Sequence, residues 1–191
     1  MGELRDVRVA FYGDSYTLGT GASAPSKRWS TIVCAEREWQ EFNPSVNGLG
    51  FIRNRHVFGD GDVPSAIIAE RPDLVFITLG LNDNFAYEVA AASIEAQIST
   101  DFDRLATALP EARFIVVEPF WYHDERPESV DAICSWVKAA AASIGAEHIA
   151  GASHWIDGHP EWKASDLLHP NDAGYAAIAQ RFDLALRNLG L

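Results

Sequence analysis

Short apolar runs that stop at glycine or proline alternate along this chain with longer stretches of helical spacing. Val7–Tyr12 is apolar apart from Arg8 and stops at Gly13, as a buried strand would. Asp73–Leu79 is the clearest strand pattern, a β-rich run closed by Gly80, and Phe114–Val117 is a third, stopped by Pro119. Weaker strands are predicted at Glu41–Val46, which Pro44 interrupts, and near His148-Ile149. Between them, helices are predicted over Trp29–Trp39, Val63–Glu70, Ala86–Leu109 and Glu128–Ile144. A last one runs from Pro170 through Tyr175, Ile178 and Phe182 to Leu186. Trp29, Trp39 and Trp136 lie in this helical text and are expected in the core.

Strands that are apolar throughout and separated by helices imply a parallel sheet covered on both faces. The chain shows no repeat, no low-complexity tract and no Gly/Ser linker. The expectation is one α/β domain over residues 1–191, a three-layer α/β/α sandwich around a five-stranded, flavodoxin-like parallel sheet.

Composition narrows the function classes. A net charge of −12, spread along the 191 residues, repels phosphate backbones and argues against nucleic acid as a partner. No apolar run approaches the roughly 18 residues of a membrane span. No apolar stretch precedes the first strand, which gives a cytoplasmic location as the expectation. Cys34 and Cys134 form no metal or CxxC pair and read as free, packed thiols.

In an open parallel sheet, ligands bind beyond the carboxyl ends of the strands. Four fragments fall at such places: Gly13-Asp14-Ser15, Asn47-Gly48-Leu49-Gly50, Gly80-Leu81-Asn82-Asp83 and, ahead of the last helix, Asp166-Leu167-Leu168-His169-Pro170. Singly, each has an ordinary reading as a cap, a turn or a surface histidine. Jointly, and in this order, they resemble the four blocks of the SGNH (GDSL-like) hydrolases, over residues 8 to about 185. The resemblance implies the SGNH hydrolase fold, a Ser15 nucleophile, His169 as base and Asp166 as its orienting acid, with Asp14 structural. It also implies an oxyanion hole of the Ser15 amide, the Gly50 amide and the Asn82 side chain, with Gly48 as the other glycine available. The implied activity is hydrolysis of carboxylic esters without a cofactor, and the modest length and lack of a secretion signal point to small or short-chain esters. An acyltransferase or thioesterase would use the same triad, and a non-catalytic flavodoxin-like binding domain is the rival of another class. Neither a Gly-x-Ser-x-Gly elbow nor a nucleotide-binding glycine motif is present.

Tyr16, Phe51, Phe85, Trp121 and Tyr122 flank these loops and are candidate pocket walls. His154, Asp157 and His159, with His123 and Asp124, match no metal-ligand spacing, so no metal is expected. Arg53, Arg55 and His56 read as a solvated basic loop. The oligomeric state is open.

Overall fold

The computed structural model describes residues 6–57 and 61–191. Five parallel strands form one sheet in the order β2-β1-β3-β4-β5: β1 (Arg8–Tyr12), β2 (Gln40–Phe42), β3 (Leu74–Ile77), β4 (Arg113–Val117) and β5 (Glu147–Ile149). The helices are α1 (Ser15–Leu18), α2 (Trp29–Glu36), α3 (Val63–Glu70), α4 (Tyr87–Ala108), α5 (Glu128–Ser143) and α6 (Asp172–Asn188).

Successive strand residues point to opposite faces, so each run feeds two cores. Val9, Phe11, Phe76, Ile115 and Val117 pack with α2 and α6 residues such as Trp29 and Phe182, whose rings stack 4.0 Å apart. Ala10, Tyr12, Val75, Ile77 and Val116 pack on the other face with Ile67, Ile98, Phe102 and Val137 of α3, α4 and α5. The sheet is thus the middle of three layers, with apolar residues on both sides of its central strands.

Element ends depart from expectation where local chemistry intervenes. Helix α2 ends at Glu36 rather than Trp39, and Glu38 adopts a left-handed φ of 56°. The chain there reverses into β2, which covers Gln40–Phe42 instead of Glu41–Val46. Pro44 has no amide for a ladder, and Asn43 turns its side chain to the carbonyl of Thr17. Helix α4 begins with a break at Ala90, whose φ is −141°. Of the three tryptophans expected inside, only Trp29 is fully buried. Trp39 and Trp136 are partly buried, against Arg37 and Tyr87 respectively. No helix among the described residues is long and apolar enough to cross a membrane.

Candidate active site

The carboxyl end of β1 is closely packed. A Cβ on Gly13 would lie 2.5 Å from the Thr17 Cβ and 2.6 Å from the Thr78 Oγ1, so only glycine lets the chain turn there. Asp14 follows as the N-cap of α1, accepting the Tyr16 amide at 2.9 Å. Ser15 then occupies the first helical position, where an amide has no partner within the helix.

The imidazole that meets Ser15 comes from the other end of the chain. His169 Nε2 lies 2.9 Å from Ser15 Oγ, and its Nδ1 lies 2.7 Å from Asp166 Oδ2. The second oxygen of Asp166 accepts the amides of Leu168 and His169 at 2.9 and 3.0 Å. This tight turn requires a left-handed residue between them, and Leu167 adopts φ 58°. Partial burial pulls the Asp166 carboxyl up, but the hydrogen bonds from His169 and from the two amides outweigh it and hold it at about 2. The loop is closed by an antiparallel bridge between Lys163 and Pro170, with the Ala164 amide donating to the His169 carbonyl at 2.8 Å. Tyr16 donates its hydroxyl to the Leu168 carbonyl at 2.7 Å, joining this loop to α1.

The third side of the site follows β3. Asn82 donates its amide to the Leu49 carbonyl at 2.9 Å and lies 3.4 Å from Asp14 Oδ2. The neighbouring Asp83 is fully buried and accepts the amides of Phe51 and Ile52 at 2.7 and 3.1 Å. Two buried carboxylates therefore lie beneath the site. Burial, with the charge of Asp83 adding to it against the Tyr16 amide, raises Asp14 to about 7. Burial likewise raises Asp83 to about 6, against the pull of the Phe51 and Ile52 amides and of Arg53 and Arg55.

A cavity of about 270 Å³ opens above Ser15. Its lining comprises Ser15, Tyr16, Thr20, Asn47, Gly48, Leu81, Asn82, Phe85, Leu168 and His169. The four motif fragments thus converge on one place. The two glycines differ: Gly48 lines the cavity, whereas the Gly50 amide donates to the Arg53 carbonyl at 3.0 Å. Gly50 instead makes room for Asp83, since a Cβ there would lie 2.5 Å from the carboxylate.

Phe85 and Tyr16 reach the cavity, the first half-exposed and the second almost wholly buried. Phe51 and Trp121 do not. Phe51 is fully buried in the core beneath α3, α4 and α5, edge-on to Tyr12 with 6.0 Å between ring centres. Trp121 is buried in the α2/α6 core, and its indole donates to the Glu125 carbonyl. Tyr122 packs against Trp121 and accepts Lys163 Nζ through its carbonyl. Thr20, Asn47, Leu81 and Leu168 also line the cavity; the last three belong to the motif fragments but were not among the candidate pocket walls. Each is one or a few residues from a motif position, and the Thr20–Asn47 hydrogen bond spans two of the loops.

Outside the cavity, His154 pairs with Asp157, which also receives Arg126, while His159 pairs with Glu161 and stacks on Trp162. No three metal-ligating side chains converge among the described residues. Arg55, expected in a solvated loop, instead turns inward onto Asp101.

Comparison with known proteins gives the family and the fold. The model of the GDSL-like lipase/acylhydrolase family matches residues 11–177. The chain belongs to that family. A GDSL lipase of Mycobacterium tuberculosis is 29% identical over 188 residues, covering 91% of this chain and 78% of the relative. Among solved structures, the psychrotrophic esterase EstA from Pseudoalteromonas superposes with a TM-score of 0.76 at 17% identity, covering 97% of this chain and 100% of that one. The acetylxylan esterase Axe2 from Geobacillus stearothermophilus gives 0.71 at 19% identity, covering 97% and 94%. At these identities the structural likeness is one of fold, the α/β SGNH hydrolase fold.

Proposed function

We propose that the chain hydrolyses carboxylic esters with a short acyl group through a covalent acyl-Ser15 intermediate. The unbroken hydrogen-bonded chain from Asp166 through His169 to Ser15 carries the reading. His169 Nε2 takes the hydroxyl proton as Ser15 Oγ attacks the ester carbonyl carbon, and Asp166 on Nδ1 fixes the tautomer and stabilises the imidazolium. The carbonyl π electrons move onto oxygen. The tetrahedral intermediate collapses, its C–O bond to the alcohol breaks, and His169 hands its proton to the departing oxygen. Water then attacks acyl-Ser15, again giving its proton to His169, and the acid leaves as the Ser15 hydroxyl is restored.

The negative oxygen needs donors already in place. The Ser15 amide and the Asn82 side chain are two of them. For the third, Gly48 is favoured over Gly50, because Gly48 lines the cavity and the Gly50 amide is engaged by Arg53. A short acyl group is supported by volume: about 270 Å³ falls below the roughly 300 Å³ at which pockets for drug-sized ligands begin. Leu81, Phe85 and Leu168 give it apolar wall, and Thr20 and Asn47 a polar one.

A fluorophosphonate probe tests the reading. The wild-type protein is expected to be labelled covalently and Ser15→Ala is not; an unlabelled wild type overturns it. A p-nitrophenyl ester series should show turnover highest at the short-chain end.

A further inference from the structure

We propose that Arg55 is a positioning residue for the oxyanion side of the site, holding the 48–55 loop against the sheet so that the Leu49 carbonyl keeps Asn82 in place. The proposal rests on the acyl-Ser15 reading.

The guanidinium gathers groups from four parts of the fold. Its Nη1 donates to the Phe51 carbonyl at 2.7 Å and to Asp101 Oδ2 on α4 at 2.6 Å, and lies 3.1 Å from the Tyr12 hydroxyl at the end of β1. Its Nη2 donates to the second Asp101 oxygen and to Asp62, the N-cap of α3, both at 3.0 Å. Asp101 is 1% exposed and also accepts the Tyr12 hydroxyl at 2.7 Å and the Gln97 amide at 2.9 Å. The guanidinium is therefore seated on a buried anion that is itself fixed by β1 and α4.

What this seat holds is the backbone of the loop. Phe51 is gripped from both ends, its carbonyl by Arg55 and its amide by Asp83. Two residues back, the Leu49 carbonyl receives the Asn82 side chain, and one further back Gly48 faces the cavity. A displacement at Phe51 is thus passed to the acceptor that orients Asn82. Arginine suits the task because one rigid fork addresses a carbonyl and two carboxylates together, which a lysine ammonium on a single flexible stem cannot do.

Two variants test this in the full chain: Arg55→Lys, which keeps the charge beside Asp101, and Arg55→Met combined with Asp101→Asn, which leaves no buried charge unpaired. We expect kcat for p-nitrophenyl acetate to fall about tenfold or more in each, with KM within about threefold of wild type. Adding Arg55→Lys to Asn82→Ala should lower kcat by no more than about twofold beyond Asn82→Ala alone, because both act on one oxyanion contact. Should the double variant fail to fold, Arg55→Lys decides. The proposal is overturned if Arg55→Lys retains kcat within about twofold of wild type, or if its loss multiplies with that of Asn82→Ala. Fluorophosphonate labelling of the wild type separates the two ideas: an unlabelled wild type refutes the acyl-enzyme, whereas a labelled one with an unaffected Arg55→Lys refutes the positioning role.

Discussion

Ser15 and His169, 154 positions apart in the chain, meet with 2.9 Å between hydroxyl and imidazole. The contact joins the first helical residue after β1 to a loop ahead of α6, and those two segments are held together independently by Tyr16 on Leu168 and Tyr175 on Thr20. The geometry at the hydroxyl therefore has support that does not pass through the reacting groups.

Asp166→Asn leaves the turn able to form but offers His169 a neutral partner. We expect kcat for p-nitrophenyl acetate to fall on the order of 10²- to 10⁴-fold with little change in melting temperature. Steady-state kinetics beside a thermal melt checks both parts.

Asn82→Ala removes the donor proposed for the oxyanion and strips the Leu49 carbonyl of its partner. The expected loss is about 10²- to 10³-fold in kcat, with KM nearly unchanged. An equal rise in KM would instead mark Asn82 as a ground-state contact.

The two glycines separate in stability. Gly50→Ala drives a Cβ to 2.5 Å from the fixed Asp83 carboxylate, whereas at Gly48 the atom met first is the end of the Asn54 side chain, at 2.6 Å. Urea unfolding should register about 2–4 kcal/mol for Gly50→Ala. Gly48→Ala, whose strain comes from a φ of 71°, should cost about 1–2 kcal/mol.

Asp14 gives stability a pH dependence of known sign. Its carboxyl titrates near 3.8 when exposed and at about 7 in the fold. Between those values the native state binds the proton that the unfolded chain has lost, so the Asp14 contribution to stability falls as pH rises through this window and is level above it. Asp83, raised to about 6, adds in the same direction up to that pH. Replacing Asp14 with asparagine should make the protein gain on wild type as pH goes from about 5 to about 8, read by urea unfolding at each pH. A constant difference between the two proteins would contradict the shift.

Phe85 is 56% exposed yet borders the cavity. Phe85→Ala should leave the melting temperature within a few degrees and alter the dependence of kcat/KM on acyl length, widening it toward longer chains. A p-nitrophenyl ester series on both proteins is the check.

The layers and the order of elements were legible because β1, β3 and β4 are buried on both faces and so read as apolar runs. The edge strand β2 was misplaced by one residue at its start and by four at its end, since exposed Gln40 and half-buried Glu41, which is held by Ser30 and Thr31 of α2, are polar and carry no such mark. Ser15, Asn82, Asp166 and His169 were found as motif text, and the fold brings Ser15, Asn82 and His169 to one cavity with Asp166 behind the imidazole. Pocket walls were harder, because nearness in sequence does not say which way a ring points. Phe51 adjoins Gly50, yet its ring turns away from the cavity into the core beside Tyr12 and Phe102. Arg55 looked solvated because its partner Asp101 lies 46 positions on, in a helix whose inner face only the fold reveals.

The bridge between Lys163 and Pro170 has a mechanical consequence. It makes Asp166 and His169 one rigid piece, since both lie on the eight-residue loop that it closes. Denaturant or heat that loosens this hairpin would carry Asp166 and His169 off together, with their mutual bond intact. Inactivation on mild stress would then resemble opening a switch contact, the imidazole departing still correctly polarised but without a hydroxyl to act on.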